Sequence, residues 1–135
     1  IDLIKHVSIK KVFQEILTKH QQVLINFLNK NCLHASLVHG DLWSGNILFD
    51  QDRIWLIDPA IYYGDREVDL AMTEMFGGFT SEFYQAYDST YPLSKSYHQK
   101  KILYNLYHYL NHFNLFGSSY LPACQQGFKA LKELH

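Results

Sequence analysis

The sequence predicts a mainly helical domain with one small β-hairpin, which places it in the α+β class. Apolar residues recur at helical spacing in the first 30 residues and again from residue 93 onwards, and two short apolar runs separated by a polar turn lie between these stretches. The 135 residues are 47% apolar and 16% aromatic. That composition is sufficient for one hydrophobic core, so we expect a single globular domain.

The first helix is expected over residues 9–29. Val12, Phe13 and Ile16 repeat on one face, and lysine, glutamine and glutamate residues occupy the other. Ser8 is a candidate N-cap, because its hydroxyl could accept a hydrogen bond from a free backbone N–H of the first turn. Asparagines at the end of the pattern favour a helix stop.

The hairpin is expected from residues 47–49 and 54–57. Both runs are short and apolar, and the four polar residues between them favour a tight turn. This is the only sheet that the sequence predicts.

Helical spacing returns after the hairpin. One stretch contains Val68, Leu70 and Met75 and should stop at Gly77 and Gly78, because glycine suits a helix C-terminus. We expect three further helices, of which the first covers residues 81–87. The second is a long helix from Leu93 or Tyr97 to Phe116, which Gly117 ends; its inner face carries Ile102, Leu103, Leu106, Leu110 and Phe113. The third is a final amphipathic segment marked by Phe128, Leu131 and Leu134.

Charge and apolar pattern exclude several classes of function. The 12 Lys and Arg nearly balance 13 Asp and Glu, so the basic surface that binds nucleic acid is not expected. The sequence shows no signal peptide and no apolar run of the ~18 residues that span a membrane. Cys32 and Cys124 form no CxxC pair. We expect a cytoplasmic protein with neither nucleic acid nor membrane as partner. Because residue 1 is Ile1 rather than Met, we also expect the sequence to be part of a longer gene product.

The chemistry is expected at the polar ends of the hairpin. The string HGDLWSGN covers residues 39–46, and Ile57-Asp58-Pro59 follows the second strand. Asp41 and Asn46 stand five residues apart, the separation between the base and the metal-binding asparagine of kinase catalytic loops, and Asp58 matches the second metal ligand. Phosphoryl transfer needs a carboxylate beside the attacking hydroxyl and hard oxygen ligands for Mg²⁺. The alternative is that these residues only cap turns.

Two histidines suggest a different kind of site. His108 and His112 are four apart on a predicted helix and could face a common metal ion. However, no HExxH pattern or third ligand accompanies them. We therefore do not expect a metal site there.

The strings HGDLWSGN and IDPAIYYGDREVDLAMTEMFGGF, which lie within residues 39–79, resemble the fructosamine kinase family of kinase-like phosphotransferases. The resemblance implies the C-terminal lobe of a protein-kinase-like fold over residues 1–135. It also implies ATP-dependent phosphorylation of a sugar ketosamine, a fructosamine or ribulosamine, free or on glycated protein lysines, with ATP and Mg²⁺ as cofactors.

Carried over by position, the resemblance makes Asp41 the catalytic base and Asn46 and Asp58 the Mg²⁺ ligands. Asp69 would support the catalytic loop through backbone hydrogen bonds, and His39 would brace the same loop. Trp43 could form a wall of the sugar site or simply pack on the hairpin. Glu67 could bind substrate or order the loop.

The glycine-rich phosphate loop and the strand lysine of kinases do not occur in this sequence. The N-terminal nucleotide lobe is thus expected elsewhere in the same protein, and the 135 residues alone are expected to be inactive. Two alternatives stay open: another small-molecule kinase of the aminoglycoside or choline kinase type, and a non-catalytic binding module that retains the loop.

Overall fold

The structure, a computed structural model, describes residues 1–32 and 34–135. The described residues form α1 (Val7–Asn31), β1 (Ser36–Val38), β2 (Ile47–Asp50), β3 (Arg53–Leu56), β4 (Tyr62–Gly64), α2 (Glu67–Thr73), α3 (Ser81–Thr90), α4 (Tyr97–Phe116) and α5 (Leu121–Lys132), with 3₁₀ turns at Ser44–Asn46 and Ser118–Tyr120. They divide into two compact units, one of Ile1–Asn31 with Ile102–His135 and the other of Cys32–Lys101.

The first unit is helical. Its core contains Phe13 of α1 stacked on Phe128 of α5, with ring centroids 4.1 Å apart and ring planes 18° apart. Burying one such side chain stabilises the fold by about 1.5–3 kcal/mol. The other buried members of this core are Ile4, Leu103, Leu106, Phe113, Cys124, Leu131 and Leu134, which confirms the helical spacing found in the last third of the sequence.

The predicted start of the first helix was wrong. The helix begins at Val7, and the backbone N–H of Lys10 donates to the carbonyl of His6 at 2.9 Å. Ser8 therefore lies inside the first turn and is not the N-cap.

Within the described part of the chain, no helix is long and apolar enough to cross a membrane.

The second unit contains the predicted hairpin. Strands β2 and β3 are antiparallel, with Ile47 opposite Leu56 and Asp50 opposite Arg53. The connecting turn has two residues, and Gln51 adopts a positive φ of 40°, as tight hairpin turns require. The hairpin expected from the polar turn is confirmed.

A second antiparallel pair was not expected. Strand β1 pairs with β4, with Leu37 opposite Tyr63, so β1 leads into the 39–46 string and β4 follows Asp58. Each strand has three residues, too few to show an alternating pattern. This pair brackets the loops that carry the predicted chemistry.

Helix α2 ends at Thr73, earlier than the stop at Gly77 and Gly78 that the sequence predicted. The backbone N–H groups of Glu74 and Met75 donate to Ala71 and Met72 at 3.3 and 3.1 Å. These bonds span three residues rather than four, so the last turn tightens and the chain leaves the helix before Gly77. Helix α3 extends three residues beyond the predicted 81–87, whereas α4 and its end before Gly117 are as predicted.

Candidate active site

All the side chains that the sequence singled out as kinase-like lie in the unit formed by Cys32–Lys101. Residues 39–46 follow β1, Asp58 follows β3, and Glu67 and Asp69 belong to the first turn of α2. The site is thus assembled from two loops and one helix start.

Asp69 anchors the first loop to helix α2. Its two carboxylate oxygens accept hydrogen bonds from the backbone N–H groups of His39, at 2.7 Å, and Gly40, at 2.9 Å. Gly40 has a φ of 82°, and a Cβ there would lie 2.1 Å from the carbonyl oxygen of Ala60. Burial, followed by the negative charge of Asp69, raises the pKa of Tyr62 on β4. The loop is held by a carboxylate on one side and by backbone on the other.

The His39 ring connects the two loops. Its Nδ1 atom lies 3.2 Å from the backbone nitrogen of Asp41, and its Nε2 atom lies 2.9 Å from the carbonyl oxygen of Ile57. Because the backbone N–H can only donate, Nδ1 accepts and the proton resides on Nε2, which donates to Ile57. The backbone N–H of Ala60 donates to the His39 carbonyl at 2.8 Å. One residue therefore contacts both sides of Asp58.

Asn46 and Asp41 are in direct contact. The Asn46 side-chain nitrogen donates to the Asp41 carbonyl at 2.8 Å and to the Asp41 carboxylate at 3.1 Å. Asn46 is buried, and its backbone carbonyl oxygen accepts a hydrogen bond from the backbone N–H of Ile57 at 3.0 Å. With its nitrogen engaged by Asp41, the amide presents its oxygen on the opposite side. Such an oxygen is a ligand atom suited to Mg²⁺.

Asp58 lies at the exposed end of the second loop. Its φ of 50° places it in the left-handed region, where non-glycine residues are uncommon and where strain of about 1–3 kcal/mol concentrates at functional sites. The contacts of the adjacent Ile57 with His39 and Asn46 hold this residue next to the first loop. The structure therefore joins Asp41 and Asn46 directly and connects Asp58 to them through Ile57.

Trp43 lies over the turn between Asp41 and Asn46. Its ring covers Gly45, because a Cβ at that position would approach the indole carbons to 2.2 Å. Trp43 as a whole is 39% exposed, and the Phe76 ring meets the indole edge-on with centroids 6.1 Å apart. One face of Trp43 is thus packed on the loop, as the packing interpretation predicts, and another part is exposed and could form a wall of a sugar site.

Glu67 belongs to a buried charged cluster. Its carboxylate accepts from the backbone N–H and hydroxyl of Ser94 at 2.7 and 2.8 Å. The Lys100 ammonium lies 2.6 Å from both Glu67 and Asp65, and the Lys100 side chain is 1% exposed. Lys100 was not singled out from the sequence, because it lies 33 positions from Glu67 in a helix with no motif.

The histidine pair on α4 lies along one helix, and the second ring bonds back to the first residue. The Nδ1 atom of His112 lies 2.8 Å from the carbonyl oxygen of His108. Among residues 1–32 and 34–135, no group of three or more His, Cys, Asp or Glu side chains is arranged to hold a metal ion.

Comparison with known proteins decides the family. The family model described as fructosamine kinase matches residues 3–133. The chain belongs to the fructosamine kinase family. The resemblance seen in residues 39–79 is therefore confirmed and extends over nearly the whole chain.

Relatives and solved structures agree with this fructosamine kinase assignment. A protein of Synechocystis named "Probable ketoamine kinase" is 62% identical over 96 residues, covering 70% of this chain and 32% of that protein. A mouse protein named ketosamine-3-kinase is 49% identical over 85 residues, covering 63% of this chain and 28% of its own length.

A crystal structure described as a "putative fructosamine-3-kinase", from Haemophilus somnus, matches with a TM-score of 0.73 and 35% identity over 84% of this chain and 39% of that one. The kinase-like α+β fold is thus confirmed. The chain spans about a third of the length of the curated relatives it matches.

Proposed function

We propose that this chain is the catalytic-loop lobe of an ATP-dependent kinase whose substrate is a sugar ketosamine, a fructosamine or ribulosamine, free or on glycated protein lysines. The observation that carries the proposal is the Asn46 side chain, which donates to the Asp41 carboxylate and directs its own oxygen away from it. A base and a hard oxygen ligand are thereby presented side by side, as phosphoryl transfer requires.

Asp41 acts as the base. Its carboxylate accepts the proton of the attacking sugar hydroxyl, whose oxygen forms the new bond to the γ-phosphorus while the bond to the ADP oxygen breaks and ADP leaves. Asn46 and Asp58 supply the amide and carboxylate oxygens that would hold Mg²⁺, a donor set that fits this ion. When bound, Mg²⁺ neutralises charge on the ATP phosphates.

The other residues position the loop. Asp69 and His39 hold residues 39–41 through the backbone hydrogen bonds described above. Trp43 forms a wall of the sugar site with its exposed face, since flat apolar surfaces suit the C–H faces of sugars. Each oxygen of Glu67 accepts a hydrogen bond from Ser94, and Oε2 also contacts the Lys100 ammonium, so we assign Glu67 to ordering the segment rather than to contacting substrate.

The N-terminal nucleotide lobe of the same protein completes the site. The apolar hairpin side chains support this partner: Phe49 and Ile54 are 78% and 67% exposed, and a large exposed apolar patch marks an interaction surface. The other lobe would cover this hairpin and supply the phosphate-covering loop and the lysine. Because ATP is the phosphate donor, we place the activity in the cytoplasm.

The test uses the full-length protein with ATP, Mg²⁺ and a panel of ketosamines, aminoglycosides and choline. We expect phosphorylation of ketosamines, and we expect Asp41→Asn to lower kcat by about 10²- to 10⁴-fold, the usual contribution of a general base. Folding should be retained, because the new amide oxygen can still accept from Asn46. Asp52→Asn, in the exposed hairpin turn, is the matched control.

Two results would contradict the proposal. Turnover of aminoglycosides or choline but not of ketosamines would assign the protein to the other small-molecule kinases. Near-normal kcat in Asp41→Asn would show that Asp41 is a turn residue. The metal assignment has its own check: Asp58→Ala should raise the Mg²⁺ concentration needed for half-maximal activity more than Asn46→Ala does, because it removes a charge.

A further inference from the structure

We propose that Gly78 is a positioning residue for this site: by packing directly on Ser44, it sets the position of the turn that carries Trp43 and Asn46. The inference rests on the proposed function. Gly78 lies 32 positions beyond Asn46 in the sequence, in the loop between α2 and α3. Nothing in the spacing of the motif residues points to it.

The contact leaves no room for a side chain. Gly78 has a φ of 93°, and a Cβ there would lie 2.6 Å from the Ser44 Cβ and 2.8 Å from the Ser44 Oγ. Rotating the serine hydroxyl could relieve the second approach but not the first, because the Ser44 Cβ is attached to the backbone. To reach an ordinary contact of 3.4 Å, the backbones at Ser44 and position 78 would have to separate by about 0.8 Å, and we infer that the turn at Ser44 takes up part of this movement.

Such a movement would reach the residues proposed to act on the substrate and the metal. Ser44 begins the 3₁₀ turn that ends at Asn46, and the backbone N–H of Asn46 donates to the Trp43 carbonyl at 2.9 Å. Asn46 in turn bonds to Asp41. The edge-on contact of Phe76 with Trp43 ties the same loop to the same turn at a second point.

Gly77 provides a matched control. It has a φ of 72°, and a Cβ there would have nothing within 4 Å. Alanine at either position forces a side chain into the left-handed region, which costs about 1 kcal/mol or more. Only alanine at position 78 also meets the Ser44 side chain, so the difference between the two variants isolates the contact.

The experiment compares four variants of the full-length protein: Gly77→Ala, Gly78→Ala, Ser44→Gly and the double variant Gly78→Ala with Ser44→Gly. The displacement of nearly an ångström in Gly78→Ala should lower kcat by about 10- to 100-fold relative to Gly77→Ala. The double variant should recover kcat to the level of Ser44→Gly, because that substitution removes the two atoms that a Cβ at position 78 would meet. Steric rescue of this kind is not expected from a general loss of stability.

A second measurement does not depend on turnover. The protein is labelled with 5-fluorotryptophan, and the Trp43 fluorine resonance is assigned by its loss in Trp43→Phe. The resonance should shift in Gly78→Ala, stay in place in Gly77→Ala and return towards its original position in the double variant. If the unmodified protein phosphorylates no ketosamine, the proposed function fails while this measurement still tests the contact.

Two outcomes overturn the inference. Equal kcat in Gly77→Ala and Gly78→Ala would mean that the loop accommodates the side chain without moving the site. A double variant that stays as impaired as Gly78→Ala, in kcat and in the Trp43 resonance, would mean that the contact with Ser44 is not the cause. If Gly78→Ala does not fold, the double variant must fold for the inference to stand.

Discussion

Replacing Asp69 by asparagine tests the support of the catalytic loop most directly. The change is nearly isosteric and exchanges one carboxylate oxygen for an NH₂ group. In the native structure both oxygens accept backbone N–H groups, from His39 at 2.7 Å and from Gly40 at 2.9 Å. Asparagine can accept from only one of these, and its NH₂ group would face the other donor.

The expected cost follows from that geometry. A hydrogen bond to a charged group contributes about 1.5–3 kcal/mol, and leaving a partly buried donor without a partner costs about 1–3 kcal/mol. We therefore expect Asp69→Asn to lower the free energy of unfolding by about 2–4 kcal/mol. Asp52→Asn, with the same chemical change at an exposed turn, should stay within about 0.5 kcal/mol of the original protein.

The assay is urea unfolding of the full-length variants, followed by kcat at a temperature where each is folded. Because residues 39 and 40 immediately precede Asp41, the folded Asp69→Asn variant should also have a lower kcat than Asp52→Asn. If the two variants match in both unfolding and kcat, the hydrogen bonds of Asp69 do not hold the loop and the reasoning fails.

Two further predictions concern buried groups. Lys100→Met should destabilise the full-length protein by about 3–5 kcal/mol in urea unfolding, because it removes the ammonium that lies 2.6 Å from the buried carboxylates of both Asp65 and Glu67, and Arg66 reaches Glu67 only at 3.8 Å. Lys101→Met breaks a more exposed pair with Glu74 and should cost at most about 1 kcal/mol; equal costs would refute the role of burial. Burial raises the pKa of Cys124 from 9.0 to about 11. The folded state therefore holds the Cys124 thiol proton more tightly than the unfolded state does. The protonated thiol contributes its full stability below pH 9, and this contribution is lost as pH rises to about 11. Between pH 8 and 11, the free energy of unfolding of the original protein should therefore fall by about 2–3 kcal/mol more than that of Cys124→Ala. Parallel curves for the two proteins would contradict this.

The elements that the sequence determined by itself are local ones. The β2–β3 hairpin follows from two apolar runs around a polar turn, and the α4 and α5 faces follow from apolar spacing, because neighbours along the chain decide both. The contact between Asp41 and Asn46 is of the same kind, since only four residues of one loop lie between them. The family resemblance rested on this local string.

Tertiary structure decided the contacts between distant parts of the chain. The β1–β4 pair, the bonds of Asp69 to residues 39 and 40, the Lys100 ion pairs and the packing of Gly78 on Ser44 all join positions at least 20 residues apart. The early end of α2 belongs with them, because Phe76 and Gly78, which follow the helix, pack on Trp43 and Ser44. Periodicity records which face of an element is buried, but not which of many distant partners buries it. That choice depends on the packing of the folded chain as a whole.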